Sequence, residues 1–178
     1  MTSSHHTCGT DRLAECAQIL RLDKSDLVLN IQGDEPLIRQ EMILDLISCF
    51  DNEDVYMGTL KKKITAADEL ENPNVVKVIS DKNDDAIYFS RYCLPYERDG
   101  KKETHYKHIG VYGYKVWFLT KLSEMKRTKL EAAESLEQLR VIENGFRIRV
   151  KETKFQTIGV DTPDQLRKVE NMLEVRYE

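Results

Sequence analysis

Two carboxylates, Asp34 and Asp161, each stand just past a short apolar run, Leu27–Ile31 before the first and Thr157–Val160 before the second. A buried strand that ends at an acid offers a hard oxygen donor at the carboxyl edge of a sheet, where open α/β sheets bind ligands. If both strands lie in one sheet, the two acids can approach from different loops. Such oxygens suit Mg²⁺, which takes one or two carboxylates and fills its shell with water and phosphates. Each acid also has a purely structural reading. Gly33-Asp34-Glu35-Pro36 is a turn composition, and Asp161 precedes Thr162-Pro163-Asp164-Gln165, a strong helix start with a capping box. Glu35 has no assignable role.

The candidate cations follow strands. Arg91 closes Tyr88-Phe89-Ser90-Arg91 and Arg98 lies in the loop after Pro95. A guanidinium fork matches carboxylate and phosphate oxygens, although an arginine so placed is equally a solvated surface group. His108 precedes Ile109-Gly110-Val111-Tyr112-Gly113-Tyr114. Glycines there permit close backbone approach, and His with Tyr can hydrogen-bond a polyhydroxylated ligand. A lone histidine also serves structure. Lys61–Lys63 reads as a solvated face.

The elements that must position these residues follow from hydrophobic period. Residues 1–10 are small and polar. A helix capped by Thr10 or Asp11 runs to Leu22, followed by the strand Leu27–Ile31 and a helix over Arg39–Phe50 with Ile43, Leu46, Ile47 and Phe50 on one face. Val55–Leu60 is a strand and Ala66–Leu70 a weak helical turn. Val75–Ser80 and Ala86–Phe89 form a hairpin around Asp81–Asp85, and Arg98–Lys107 is a charged loop. Ile109–Tyr114 is a strand, and Val116–Leu122 begins a helix. One helix is expected over Leu130–Asn144, stopped by Gly145, with Glu131, Glu134 and Gln138 as an exposed polar stripe and Glu137 beside it. Ile148–Val150 and Thr157–Val160 are strands, and the last helix buries Leu166, Val169 and Leu173. The order is that of an α/β domain, a mostly parallel sheet with an antiparallel insertion at about 55–115, in one domain spanning 1–178.

Composition narrows the function. The chain has 178 residues and a net charge of −4, which argues against a broad nucleic-acid footprint. No apolar run approaches a membrane span. Cys8, Cys16, Cys49 and Cys93 are scattered without metal-ligand spacing, which favours free thiols in the cytoplasm.

Taken in order, the motifs closely resemble one family. They are His6-Thr7-Cys8-Gly9-Thr10-Asp11-Arg12, Gln32-Gly33-Asp34-Glu35-Pro36, Asn72-Pro73-Asn74-Val75-Val76-Lys77-Val78 and Tyr88-Phe89-Ser90-Arg91. After them come His108-Ile109-Gly110-Val111-Tyr112-Gly113-Tyr114, Leu136-Glu137-Gln138-Leu139-Arg140 and Gly159-Val160-Asp161-Thr162-Pro163. The family is that of the 3-deoxy-manno-octulosonate (Kdo) cytidylyltransferases, the CMP-Kdo synthetases of lipopolysaccharide biosynthesis, and the resemblance covers nearly the whole chain. It implies a nucleotidyltransferase-type fold, CTP and Kdo as substrates, a Mg²⁺ requirement and a homodimer.

The resemblance also implies site roles. Asp34 and Asp161 match the metal-binding acids. Arg91, Arg98, His108, Tyr112, Glu137 and Gln138 match the Kdo site. Gly9, Thr10 and Arg12, with Gln32, match the nucleotide side. Against the family pattern, Cys8 replaces a serine and Lys129 a proline. The family's opening strand and its Arg/Ser/Lys phosphate loop have no counterpart ahead of Met1, so the fold is expected to be N-terminally truncated. Two alternatives follow: a non-catalytic remnant or split-enzyme subunit that binds Kdo or a partner, and a transferase for another acidic sugar such as sialic acid. The Gln32–Pro36 and His108–Tyr114 forms favour Kdo.

Overall fold

Residues 106–115 alternate in burial along a single ten-residue strand, β5 (Tyr106–Lys115), and the sheet is assembled around it in this computed structural model. The structure describes residues 1–6, 8–98, 103–155, 157–160 and 162–177, with side chains as far as Leu173. The other strands are β1 (Leu27–Asn30), β2 (Met57–Lys63), β3 (Lys77–Ser80), β4 (Ala86–Ser90) and β6 (Arg149–Glu152). The sheet order is β4-β3-β5-β2-β6, with β1 also paired to β5. β5 runs antiparallel to β1, β2 and β3, while β2 and β6 are parallel. Thus β1, β2, β3 and β6 point one way, and β4 and β5 the other. The α/β class expected from sequence holds, but the sheet is mixed rather than mostly parallel. Among the described strands only β2 and β6 pair in parallel, because β5 runs antiparallel between co-directional neighbours at the centre of the sheet.

The period-2 alternation of β5 divides the core. Ile109 and Val111 face helix α2 (Gln40–Ile47), packing with Met42, Leu46 and Leu60. Tyr112 and Tyr114 face the other way, toward α1 (Gly9–Ile19) and α4 (Val116–Glu124). Ala14 and Ala17 bring α1 close to α4, whose Phe118, Leu119 and Leu122 are buried. Each large apolar side chain so buried contributes about 1.5–3 kcal/mol.

Several expectations are corrected. The helix expected over Leu130–Asn144 is two, α5 (Lys129–Glu134) and α6 (Gln138–Glu143), broken where Ser135 takes a left-handed φ of 52°. Glu134 is drawn to β4 instead of continuing a helical face, accepting from Ser90 Oγ at 2.7 Å and from the Arg91 amide at 3.0 Å. Glu131 is buried rather than part of an exposed stripe, accepting from Arg140 Nε at 2.9 Å and Nη2 at 2.5 Å. Thr157–Val160 forms no strand; the Val160 amide donates instead to the carbonyl of Asp34 in the turn after β1, at 2.9 Å. Helix α1 begins at Gly9, with Cys8 as N-cap rather than Thr10 or Asp11.

The last helix, α7 (Pro163–Tyr177), opens with the expected capping box: the Thr162 amide donates to Gln165 Oε1 at 2.8 Å and the Gln165 amide to Thr162 Oγ1 at 3.3 Å. Val169 is buried there as expected, but Leu166 is exposed. The weak turn near Ala66 is α3 (Ala67–Glu71). Among the described residues no helix is long and apolar enough to cross a membrane.

Candidate active site

One edge of β5 is shared by two strands, and the site lies where they part. β1 pairs with residues 112–115 of that edge, and β3 joins it at Lys107, with the His108 amide donating to the Val76 carbonyl at 2.8 Å. The chain leaving β1 folds over the gap as the turn Gln32–Pro36. An added Cβ on Gly110 would lie 3.8 Å from Glu35 Oε1, and one on Gly159 would lie equally near it. Gly113 is glycine for another reason: a Cβ there would stand 2.6 Å from the Phe50 ring.

This gap opens into a cleft of about 580 Å³. Its lining includes Asp34, Glu35, His108 and Gly110, with Asn72, Asn74, Lys107, Thr157 and Lys168 around them. Asp34 is exposed, and its carbonyl accepts the Val160 amide at 2.9 Å. That bond ties the acidic turn to the residue directly before Asp161, which itself lies outside the described residues. Lys107 is paired with Glu69 on the cleft wall.

The protonation of His108 can be read from its neighbours. Thr59 has one hydroxyl proton, and the Val111 carbonyl, 2.7 Å away, is an acceptor only. Thr59 Oγ1 therefore accepts from His108 Nε2 at 2.9 Å. His108 is a neutral imidazole with Nε2 protonated and Nδ1 left as an acceptor. Burial pushes its pKa down to about 3, which holds it neutral at ordinary pH. Phe89 meets its ring edge-on at 5.1 Å and Tyr112 lies at 5.3 Å.

A second, smaller hollow of about 100 Å³ lies further along β5, lined by Gly9, Thr10, Asn30, Gln32, Tyr112, Tyr114, Glu137 and Gln138. Burial raises the phenol pKa values of Tyr112 and Tyr114, so both stay protonated. Cys8 Sγ lies 3.9 Å from Glu137 Oε1, at the mouth of α1.

The structure thus brings Asp34 and His108 to the large cleft and Gly9, Thr10, Gln32, Tyr112, Glu137 and Gln138 to the small one. The His108 and Tyr112 rings connect the two hollows. Three arginines lie elsewhere. Arg12 is exposed and its Nη1 donates to Thr2 Oγ1 at 2.8 Å. Arg98 is exposed and lines neither hollow. Arg91 spends its guanidinium on carbonyls, Nε on Glu134 at 2.7 Å and Nη1 on Pro73 at 2.9 Å. Sequence reasoning overlooked Thr59 and Lys107. The signal for Thr59 was a polar residue inside an expected strand, whereas Lys107 was read as the end of a charged loop and the strand in fact begins at Tyr106.

Comparison with known proteins decides the family. A family model described as cytidylyltransferase matches residues 1–153. The chain belongs to the cytidylyltransferase family. It is similar to the 3-deoxy-manno-octulosonate cytidylyltransferase of Fusobacterium nucleatum subsp. nucleatum, 52% identical over 174 residues that cover 97% of this chain and 70% of that protein. The protein of the same name from Geobacter metallireducens is 50% identical over 181 residues, 95% of this chain and 70% of that one. Among solved structures, CMP:2-keto-3-deoxy-manno-octonic acid synthetase complexed with CTP superposes with a TM-score of 0.90 at 38% identity, covering 99% of this chain and 72% of that chain. A putative glucose-1-phosphate thymidylyltransferase from Bacillus anthracis, 15% identical with a TM-score of 0.62, covering 97% of this chain and 63% of that chain, shares the fold. As a cytidylyltransferase, the chain is a nucleotidyltransferase enzyme of mixed α/β fold.

Proposed function

We propose that this cytidylyltransferase makes CMP-Kdo and pyrophosphate from CTP and Kdo, for lipopolysaccharide biosynthesis. The observation that carries the reading is the likeness, over 99% of the chain at a TM-score of 0.90, to a CMP-Kdo synthetase complexed with CTP. In this reaction the anomeric hydroxyl oxygen of the sugar attacks the α-phosphorus of CTP. The bond from that phosphorus to the α,β-bridging oxygen breaks, pyrophosphate leaves with the electron pair, and the hydroxyl proton passes to solvent. Such a transfer depends on positioning and charge neutralisation more than on covalent help.

The residues suit those tasks. Asp34 and Asp161 are hard donors on segments joined by the Val160–Asp34 backbone bond, a set that fits Mg²⁺. When bound, the ion supplies charge neutralisation at the phosphates. His108 offers Nδ1 as an acceptor for a sugar hydroxyl. Tyr112, with Glu137 and Gln138, sorts further hydroxyls, and Arg98, which lines neither hollow, is assigned to the sugar carboxylate on the family resemblance alone. Gly9, Thr10 and Gln32, with Arg12 beside them in sequence, serve the nucleotide.

The region 55–115 is proposed to carry the sugar site and a homodimer contact, the β4 end exposing Ile87, Tyr92 and Tyr96. The four free cysteines suit a cytoplasmic setting. Neither the geometry nor these relatives favours a non-catalytic binder or a sialic acid transferase.

The test is product formation with competing sugars. The protein is incubated with CTP, Mg²⁺ and equimolar Kdo and sialic acid, and products are resolved by mass spectrometry. CMP-Kdo is expected as the main product. CMP-sialic acid in its place, or Kdo binding with no product, overturns the reading.

A further inference from the structure

Lys77 interrupts the apolar run Val75-Val76-Lys77-Val78-Ile79, and its side chain is fully buried. A buried ammonium persists only when its three N–H donors are met. Here Nζ donates to the carbonyls of Asn72 at 2.9 Å, Val75 at 2.6 Å and Arg91 at 2.7 Å. All three acceptors are main-chain oxygens, so the lysine fixes backbone rather than another side chain.

Two of those oxygens belong to the loop before β3, which lines the large cleft with Asn72, Asn74, Val75 and Val76. The third belongs to Arg91, whose guanidinium returns to the same loop at the Pro73 carbonyl, 2.9 Å away, and also reaches the Glu134 carbonyl. The Glu134 carboxylate in turn accepts from the Arg91 amide, and Glu137 and Gln138 of the small hollow follow it closely in sequence. Two cations therefore cross-link the cleft wall, the end of β4 and the turn that carries the small hollow.

We propose that Lys77 is a positioning residue, its ammonium setting the 72–75 loop and the Arg91 main chain so that the cleft wall fits the acidic sugar. This rests on the function proposed above. Lys77 touches no substrate, and it acts through the loop it holds. Arg91, matched by family resemblance to the sugar site, works in this arrangement as the outer strut of the same cross-link.

The test compares wild type with Lys77→Met, which keeps the length of the side chain and removes its three donors. A folded Lys77→Met protein is expected to raise KM for Kdo about tenfold or more while KM for CTP stays within about twofold. Amide hydrogen exchange at 74–76 in the ligand-free protein is expected to quicken. Unchanged Kdo KM in a folded variant overturns the proposal.

If Lys77→Met does not fold, Arg91→Met gives both readings from the outer end of the cross-link. Faster exchange at 74–76 together with a raised Kdo KM supports the proposal. Unchanged exchange overturns it, because a residue that merely contacts sugar leaves the free loop unaltered. The wild-type protein separates the two claims. Absence of CMP transfer by wild type contradicts the proposed function, whereas the exchange comparison stands without any turnover.

Discussion

The Thr59 hydroxyl donates to the Val111 carbonyl at 2.7 Å and accepts from His108 Nε2 at 2.9 Å. One buried threonine thus selects the tautomer of the histidine that faces the cleft. Thr59→Val keeps the shape and removes the acceptor, at a stability cost of about 1–3 kcal/mol for groups left unpaired. The imidazole nitrogen spectrum of His108 is expected to show one tautomer in wild type and a mixture in the variant. Kdo affinity falls in step. A single Nε2–H tautomer in Thr59→Val would show that burial alone sets the proton.

Two histidines respond to pH with opposite signs. His108 has its folded pKa depressed to about 3 by burial, from an ordinary value of 6.5. The unfolded chain therefore binds the proton more readily between those values, and the stability from His108 is lost as pH falls below about 6.5. His105 goes the other way. Burial opposes its charge, but the Leu94 carbonyl at Nδ1 and the Glu97 carboxylate at Nε2 outweigh it and raise its pKa. Its contribution is full below 6.5 and is lost as pH rises through the raised value. His105→Gln is expected to lower Tm at pH 6 and to matter progressively less on the alkaline side. Melting curves from pH 5 to 9 check both signs.

The buried Arg140–Glu131 pair joins α6 to the start of α5 with two bonds. Removing one partner leaves a buried charge, so Arg140→Met is expected to cost about 3–5 kcal/mol. The double variant Glu131→Leu/Arg140→Met recovers most of that loss. Urea unfolding of the two single variants and the double closes the cycle. Additive losses would mean that the pair is not coupled.

Much of this was legible in the sequence, for reasons that particular residues make plain. The alternation of Ile109–Tyr114, the capping box at Thr162–Gln165 and the hairpin around Asp81–Asp85 are local signals, and the structure keeps all three. The helix break at Ser135 was not legible, because the bonds from Glu134 to Ser90 and Arg91 span more than forty positions. The same holds for Arg91, whose partners lie in loops far along the chain. Gly113 announced close approach, but only the position of Phe50 shows what approaches. For the candidate site, the acidic turn could be found from sequence. The division of its neighbours into two hollows along β5 could not, since it depends on β1 and β3 sharing one edge.

The most direct test of the account is pyrophosphate release from CTP and Kdo by wild type and Asp34→Asn. Asp34 is exposed and its carbonyl, not its carboxylate, makes the bond to Val160. The amide variant should therefore fold as wild type does, with Tm within about 2–4 °C, and lose turnover by about a hundredfold or more. An Asp34→Asn protein that turns over at the wild-type rate, or that loses activity only because it unfolds, would contradict the placement of the chemistry at this turn.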